Sequence, residues 1–291
     1  MEITDLSICI PSKNFGEFIG QTLRSIIDQA EDGLEIVVLD GGSTDNTEHV
    51  LREYASEFPA LRFVRQERAM GLDRDLAAAV DLAKGRYCWL MSADDVLKRG
   101  AIQRIMQEIK LGLDTYVVNR TDCTRELVPV RERYWLRPSI EDRVFDFNDR
   151  SQILDYFSSA RSIGALFSYV SSIIVRRESW KSMTIEDRAL GTNYQHVLRL
   201  FCLLMKDGKH KYIRDSLVYC RGQNDSFLSK GDAGLAGRFM IDINGYHLLG
   251  EALFPDAEMR ALFMGVMRYE HHWTTWIRLG IRISDDSTWK C

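Results

Sequence analysis

Glu35-Ile-Val-Val-Leu-Asp-Gly-Gly-Ser-Thr-Asp-Asn-Thr47, answered further along by Tyr87-Cys-Trp-Leu-Met-Ser-Ala-Asp-Asp95, decides the fold. Each is an apolar strand that runs straight into acidic residues. In open α/β folds ligands bind outside the carboxyl ends of the strands, so carboxylates placed there face the crevice. Two such edges facing one crevice make a nucleotide and metal site.

The composition is compatible with a large core. The chain has 291 residues, 45% of them hydrophobic, which fits one sizeable domain or a domain with an appendage and argues against disorder. A formal net charge of −4 argues against a general nucleic-acid binder, whose basic footprint would dominate. The six cysteines, Cys9, Cys88, Cys123, Cys202, Cys220 and Cys291, form no CxxC pair, and several lie in apolar runs, as expected of reduced thiols in a cytosolic protein. Met1 leads within a few residues into the strand Leu6-Ser-Ile-Cys-Ile10, so no leader peptide is expected. The longest clearly uncharged run, Ser162 to Val175, is too short to span a bilayer. A soluble protein is expected, cytoplasmic or at most peripheral at the inner face of the membrane.

Strands and helices alternate through the first third. Leu6–Ile10 reads as a strand, and Asn14-Phe-Gly-Glu17 as a capping box opening a helix with Phe15, Phe18, Ile19, Leu23, Ile26 and Ile27 on one face. Ile36–Leu39, Leu61–Val64 and Tyr87–Met91 read as strands, with helices striped by Val50, Leu51, Tyr54 and Phe58, then by Leu72, Leu76, Val80 and Ala83. Such alternation predicts an α/β fold with a mostly parallel sheet, right-handed crossovers and flanking helices. A helix from about Ala101 and a strand at Thr115–Asn119 follow. Asp122 to Asp149, rich in charge and aromatics, reads as a long irregular excursion of the kind that is usually functional. Phe167–Arg176 and Lys211–Cys220 read as strands, Tyr194–Met205 as a helix, and Gly234 to Leu279 as helical throughout.

At Ile10-Pro-Ser-Lys-Asn14, Asp40-Gly-Gly-Ser-Thr-Asp-Asn-Thr47, Gly71-Leu-Asp-Arg74 and Ser92-Ala-Asp-Asp95, in that order and spacing, the chain resembles the family 2 glycosyltransferases of the GT-A (Rossmann-like) fold. Phe167-Ser-Tyr-Val-Ser-Ser172, Gly191-Thr-Asn-Tyr-Gln-His196 and Cys220-Arg-Gly-Gln-Asn-Asp-Ser-Phe227 resemble the abequosyltransferase branch, bacterial enzymes that add a deoxysugar to an O-antigen unit on a lipid carrier. The resemblance implies a glycosyltransferase domain over 1–230. Its first 120 residues would bind the nucleotide sugar and 121–230 the acceptor, with 231–291 a C-terminal helical extension. It implies transfer of a sugar from a nucleoside-diphosphate donor to a saccharide acceptor, or one linked to a polyprenyl diphosphate.

The chemistry can also be argued from the residues. Breaking the bond of a sugar nucleotide leaves negative charge on a diphosphate, which Mn²⁺ or Mg²⁺ held by carboxylate oxygens neutralises. Asp94 is the expected ligand, with help from Asp95. The family's Asp-x-Asp has Ser92 at its first position here, and an Asp-Asp pair also suits a helix start. Asp40, closing an apolar strand, can accept a hydrogen bond from a nucleobase, and the family uses this position so. Pro11, Ser12 and Asn14 would line base and ribose, with a capping role for Asn14 equally open. The Gly71-Leu-Asp73-Arg74 and Ala93-Asp94 stretches would complete the nucleotide-sugar site. Arg74 would reach the diphosphate or form a surface ion pair, and Arg221 would stabilise the leaving group.

The proton acceptor is harder to place. The family's Glu-Asp pair is replaced by Thr192-Asn193, and an asparagine cannot act as a base. Glu186, Asp187 and His196 are the candidates, His196 for its unperturbed pKa. Arg131, Arg133 and Trp135 suit a diphosphate-bearing or stacked acceptor, or a solvated face with one packed aromatic. Tyr269, His271, His272, Trp273 and Trp276 suit either a lipid interface or ordinary helix packing. The alternative to a transferase is a catalytically silent sugar-nucleotide-binding protein, suggested by Ser92 and Asn193. A nicotinamide dehydrogenase lacks its G-x-G-x-x-G here.

Overall fold

The computed structural model describes residues 4–183, 190–224 and 234–270. The first part alternates as the apolar periodicity dictates: β1 (Leu6–Ser12), α1 (Ile19–Ile27), β2 (Leu34–Asp40), α2 (Thr47–Glu57), β3 (Leu61–Arg65), α3 (Leu72–Leu82), β4 (Tyr87–Leu90), a two-residue β5 (Val96–Leu97) and α4 (Ala101–Glu108). The second part comprises β6 (Thr115–Cys123), β7 (Pro129–Arg133), β8 (Arg143–Asp146), α5 (Arg150–Ser159), β9 (Ile173–Arg176), α6 (Arg177–Ser182), α7 (Gln195–Leu204), β10 (Lys209–Cys220), α8 (Gly234–Leu253) and α9 (Ala257–Glu270).

All the strands join one sheet, ordered β3-β2-β1-β4-β9-β6-β10-β5, with β7 beside β6 and β8 beside β10. Pairing is parallel among β3, β2, β1 and β4 and again between β6 and β10. Between them β9 lies antiparallel to both β4 and β6. The parallel block therefore presents the carboxyl ends of β1, β2 and β4 along a single edge, as the acidic strand ends require.

Alternate residues of each strand point to opposite faces. Ile8, Ile10, Ile36, Val38, Trp89, Tyr116 and Val118 pack with α1 and α4 residues such as Leu23, Ile26, Ile102 and Ile105. Cys9, Val37, Leu39, Cys88, Leu90 and Val117 pack on the other side with Leu76 and Val80 of α3 and with residues of α5, α7, α8 and α9. Phe254 and Phe263 lie 5.4 and 5.8 Å, ring centre to ring centre, from Phe157 of α5. The described part of the C-terminal extension thus shares the core of the sheet. Burying a side chain of this size is worth roughly 1.5–3 kcal/mol, so these helices contribute to the stability of the whole.

Several local expectations are corrected. Helix α1 begins at Ile19, behind Phe18, so Asn14 is not its cap. The excursion from Asp122 to Asp149 contains β7 and β8, and β7 pairs with β6. The strand expected over Phe167–Arg176 is confined to β9 at Ile173–Arg176, preceded by a short 3₁₀ turn at Val170–Ser172. Trp135 is core: it is 2% exposed, its indole N–H donates to the Val118 carbonyl at 2.6 Å, and a Cβ on Gly164 would stand 2.1 Å from its ring. Arg131 and Arg133 both donate to the Asp122 carboxylate. Trp135 is therefore not a stacking platform, while Arg131 keeps an exposed guanidinium beyond its bond to Asp122. The five described cysteines are free. The side chain of Tyr269, and His271, His272, Trp273, Trp276 and Cys291, lie outside the described residues.

Candidate active site

Two neighbouring strands meet at the carboxyl edge with Ser12 of β1 in register with Asp40 of β2. Asp40 is fully buried; its Oδ1 accepts hydrogen bonds from the Ser43 backbone N–H at 3.0 Å and hydroxyl at 2.5 Å. Its Oδ2 and the Ser12 hydroxyl oxygen, equally buried, have no hydrogen-bond partner; the Arg65 Nε stands 3.6 Å from Oδ2. Buried polar atoms are nearly always paired because leaving one unpaired costs about 1–3 kcal/mol. Two of them, on residues in register on neighbouring strands, set an unpaired hydroxyl near an unpaired carboxylate oxygen. Half-buried Pro11 precedes Ser12 on the same edge.

The loops after β1 and β2 are locked together. Asn14, at φ 59°, accepts the Thr44 N–H on its Oδ1 at 2.8 Å, while its own N–H donates to the Ser43 hydroxyl at 2.8 Å. Phe15 N–H donates to Thr47 and Gly16 N–H to Asp45, each at 3.0 Å. Asn14 thus fixes the rim of the cleft. Ser43, bonded to both Asn14 and Asp40, transmits that position to the carboxylate; the turn chemistry of Gly41-Gly42-Ser43 concealed this role.

Across β4 the second acidic edge is built from distant segments. Asp94, 8% exposed, accepts from the Ser92 hydroxyl on one oxygen and from the Asn224 amide at 2.9 Å on the other. Both donors are neutral and can be exchanged for a cation. Asp95 differs: Oδ2 accepts from Tyr169 and Ser171 hydroxyls, both at 2.6 Å, and Oδ1 from the Arg221 N–H at 3.1 Å. Burial, and then the charge of Asp94, push its carboxyl up to about 7. Asp95 thus works as a strut, and the expectation that it assists as a ligand is corrected. Ala93 is buried, with its carbonyl accepting from the Thr22 hydroxyl at 3.0 Å, which pins the loop to α1.

Arg221 is a second correction. Expected at the donor phosphates, it is 7% exposed, donates from Nε to the Asp94 carbonyl at 3.0 Å and from its terminal nitrogens to Gln21 at 2.5 Å and to the Arg125 carbonyl, and lies 4.8 Å over the Phe18 ring. It braces the loop that carries Asp94. Tyr169, Ser171 and Asn224 belong to the motifs of the second half, but nothing in their spacing tells that they converge on this loop.

The third rim is the start of α3. Gly71 has φ +95°, and Arg74 in the first turn is exposed with no partner among the described residues, free to meet an anion. Asp73 turns inward instead. It is 6% exposed, and its carboxylate accepts the N–H groups of Gly191 at 2.9 Å, Asn193 at 3.2 Å and Gln195 at 3.1 Å. It is therefore not open to a nucleotide sugar.

His196 is likewise not on the crevice. It is 3% exposed, Nε2 lies 2.9 Å from the Phe167 carbonyl, and Nδ1 is buried without a partner. A ring nitrogen beside a carbonyl oxygen bonds to it as a donor, so the lone pair sits at Nδ1 inside the core, and burial lowers the pKa. A proton acceptor must reach the hydroxyl it deprotonates, which this imidazole cannot. Glu186 and Asp187 lie outside the described residues. Among the described residues no group of three or more histidines, cysteines, aspartates or glutamates gathers to hold a metal, so a cation here would rest chiefly on Asp94 and on its ligand's own oxygens.

The family profile described as glycosyl transferase family 2 matches residues 7–183, which takes in Ser12, Asp40, Gly71–Arg74 and Asp94 but not Arg221 or Asn224. The chain belongs to that family. As a family 2 enzyme it transfers a sugar from a nucleotide-sugar donor. It is 33% identical over 276 residues to the abequosyltransferase RfbV of Salmonella typhimurium, a match covering 92% of this chain and 81% of that protein. A chondroitin synthase of Escherichia coli is 31% identical over 118 residues, covering 40% of this chain and 17% of that protein. In fold the chain resembles S. aureus TarS in complex with UDP-GlcNAc, with a TM-score of 0.69 at 14% identity over 98% of this chain and 78% of that one. The mannosyltransferase PcManGT of Pyrobaculum calidifontis, in complex with GDP-Man and Mn²⁺, aligns with a TM-score of 0.59 at 15% identity over 99% of this chain and 77% of that one. These likenesses identify the architecture as GT-A. Among the described residues no helix is long and apolar enough to cross a membrane.

Proposed function

We propose that this glycosyltransferase moves a deoxysugar from a nucleoside diphosphate to a saccharide carried on a polyprenyl diphosphate, in bacterial surface polysaccharide synthesis at the cytoplasmic side of the membrane. The observation that carries the reading is the unpaired Ser12 hydroxyl beside the unpaired Asp40 oxygen, an edge complementary to the donor and acceptor groups of a nucleobase. Similarity to an abequosyltransferase along nearly the whole chain supports the deoxysugar and the lipid-linked acceptor. Residues 1–120 then form the donor half and 121–230 the acceptor half, and within 231–291 the described helices α8 and α9 pack on the core.

In this reading Asp40 and Ser12 hold the base, Pro11 and Asn14 shape its walls, and Arg74 neutralises the diphosphate from the first turn of α3. Asp94 supplies the carboxylate for Mn²⁺ or Mg²⁺, a reading supported by its two neutral hydrogen-bond donors, Ser92 and Asn224. The cation, when bound, offsets the charge that builds on the departing diphosphate. Glu186 or Asp187 takes the proton of the acceptor hydroxyl.

The test is calorimetry with a panel of nucleoside diphosphates, each with Mn²⁺ or Mg²⁺, followed by transfer assays with the sugar nucleotide of the preferred base. Binding that depends on the base and is lost in Asp40→Ala supports the reading. A base-blind response would remove Asp40 and Ser12 from the donor site. Binding with no transfer and no donor hydrolysis would establish a silent sugar-nucleotide-binding protein.

A further inference from the structure

Asp73 lies in the first turn of α3, directly before the free Arg74, yet its carboxylate spans the gap to the acceptor half. Its three hydrogen bonds fall on the N–H groups of Gly191, Asn193 and Gln195, the last turn of chain before α7 and the first residue of that helix. An aspartate accepting the first amides of a helix is ordinary cap chemistry. Here the cap comes from an element more than a hundred residues away in sequence, across the boundary between the two halves. The capped segment runs through left-handed backbone at Gly191, φ +84°, and Asn193, φ +65°, residue types that accept it, and this turns the three N–H groups toward one carboxylate.

The same segment is gripped from the other side. Tyr194 donates its hydroxyl to Asp242 of α8 and lies 4.8 Å, ring centre to ring centre, from Tyr246. A Cβ on Gly245 would stand 2.6 Å from the Tyr194 ring, so the fit against α8 is close. The segment is therefore set by two supports, a charge from the donor half and a packed aromatic from the C-terminal helices. Because α3 follows the parallel strand β3, its first turn lies at the carboxyl edge, beside Gly71 and Arg74. Residues 190–195 are held at that same edge.

We propose that Asp73 is a positioning residue that sets the acceptor-side segment 190–195 against the donor-phosphate turn, so that the turn that meets the donor also fixes the entry into α7. Asp73 touches neither donor nor acceptor; it acts through three backbone amides. The proposal rests on the reading of the Gly71–Arg74 turn as part of the donor site. The prediction for the amides themselves holds without any ligand.

Hydrogen exchange resolved at single amides tests it on the full chain, in parallel with steady-state kinetics. In the unmodified protein the amides of Gly191, Asn193 and Gln195 should exchange slowly, and more slowly still when the preferred nucleoside diphosphate is added with Mn²⁺. In Asp73→Asn, which keeps the size of the side chain and one acceptor oxygen, these amides should exchange at least tenfold faster with no response to the nucleotide. The acceptor KM should rise or kcat fall by tenfold or more, with the nucleotide Kd unchanged within about twofold. Asp73→Glu should recover part of the protection. If Asp73→Asn is too unstable to assay, Tyr194→Phe loosens the opposite support alone and should speed the same amides while they still respond to nucleotide. A loss of nucleotide affinity in Asp73→Asn with amides 191, 193 and 195 still protected would make Asp73 a donor ligand and overturn the proposal. A change in melting temperature with both exchange and the KM–kcat split unmoved would leave Asp73 a plain structural cap, and the proposal would fall. Failure of the unmodified protein to bind any nucleoside diphosphate would sink the donor-site reading, while amide protection in the ligand-free protein still tests the role of Asp73.

Discussion

Asp40 and Asp73 are buried carboxylates on the same edge of the same sheet, and they have opposite tasks. Asp40 leaves one oxygen unpaired beside an unpaired serine hydroxyl. Asp73 engages both oxygens with three backbone amides. The contrast recurs one strand over, where Asp94 is held by two exchangeable neutral donors and Asp95 by a tyrosine, a serine and a backbone amide. In the function proposed above, each pair divides into one carboxylate that would face a ligand and one that holds the frame. Residue type and burial do not separate them, because all four are buried acids. What separates Asp40 from Asp73 is an oxygen without a hydrogen bond, and what separates Asp94 from Asp95 is that its two donors are both neutral side chains, with no backbone amide among them.

The division is tested most severely at the cation. Asp94→Asn should keep the fold, since its partners can re-pair with an amide, but lose several kcal/mol of charge stabilisation, about three orders of magnitude in turnover. Calorimetry with Mn²⁺ and the preferred nucleotide should show the loss of cation-dependent binding. Turnover within tenfold of the unmodified enzyme, or full activity in excess chelator, would place the cation role elsewhere.

The proton acceptor sharpens the comparison between crevice and core. Asp187→Asn or Glu186→Gln should lower kcat by about two to four orders of magnitude with nucleotide affinity intact, the usual size of a general-base contribution. His196→Asn should change kcat far less and act on stability. The reverse ranking, with His196 essential and both acids dispensable, would mean that the imidazole reaches the crevice after all.

A smaller effect is expected at the base. Asp40→Ala should weaken nucleoside diphosphate binding by about 1–3 kcal/mol, the cost of losing a hydrogen bond to a charged group. Unchanged affinity by calorimetry would show that the unpaired oxygen serves the fold, and the contrast with Asp73 would vanish.

An effect on stability alone, with no change in nucleotide binding, lies in the core, away from both edges. His196 and His210 are buried and kept neutral; burial lowers both, His210 to about 3. With the folded pKa below the unfolded value, the unfolded chain binds protons first as pH falls. Stability is therefore full above about pH 6.5 and is lost as pH falls toward 3, at about 1.4 kcal/mol per pH unit for each proton taken up. Melting temperatures from pH 7.5 to 5 should fall, and the His210→Asn variant should show a shallower slope. A flat profile would mean that these rings take up protons without unfolding.

Most of the donor half was legible in the sequence. Ile36-Val-Val-Leu39 and Tyr87-Cys-Trp-Leu90 are unbroken apolar runs, which only a strand covered on both faces buries. Their acidic ends fixed the edge at which Asp40 and Asp94 stand. The acceptor half was less legible. The run at Phe167–Ser172 was apolar enough to read as strand, but it turns through Gly164 and Phe167 to bring Tyr169 and Ser171 to Asp95. Asn14 reads as a cap with Glu17, and the competing partner that won, Thr44, comes from the next loop.

The sequence by itself determined the alternating layers, the parallel block and the acids that end its strands, because periodicity and strand-end chemistry are local. Only the tertiary structure decided which acids remain available. Arg221 was diverted to the Asp94 carbonyl and Gln21, His196 was turned into the core against Phe167, and Asp73 was claimed by amides of residues 191–195. Each of these partners lies far away in the chain. A carboxylate's freedom to bind a ligand depends on the hydrogen bonds it has not already made, and that remainder is set when distant segments come together.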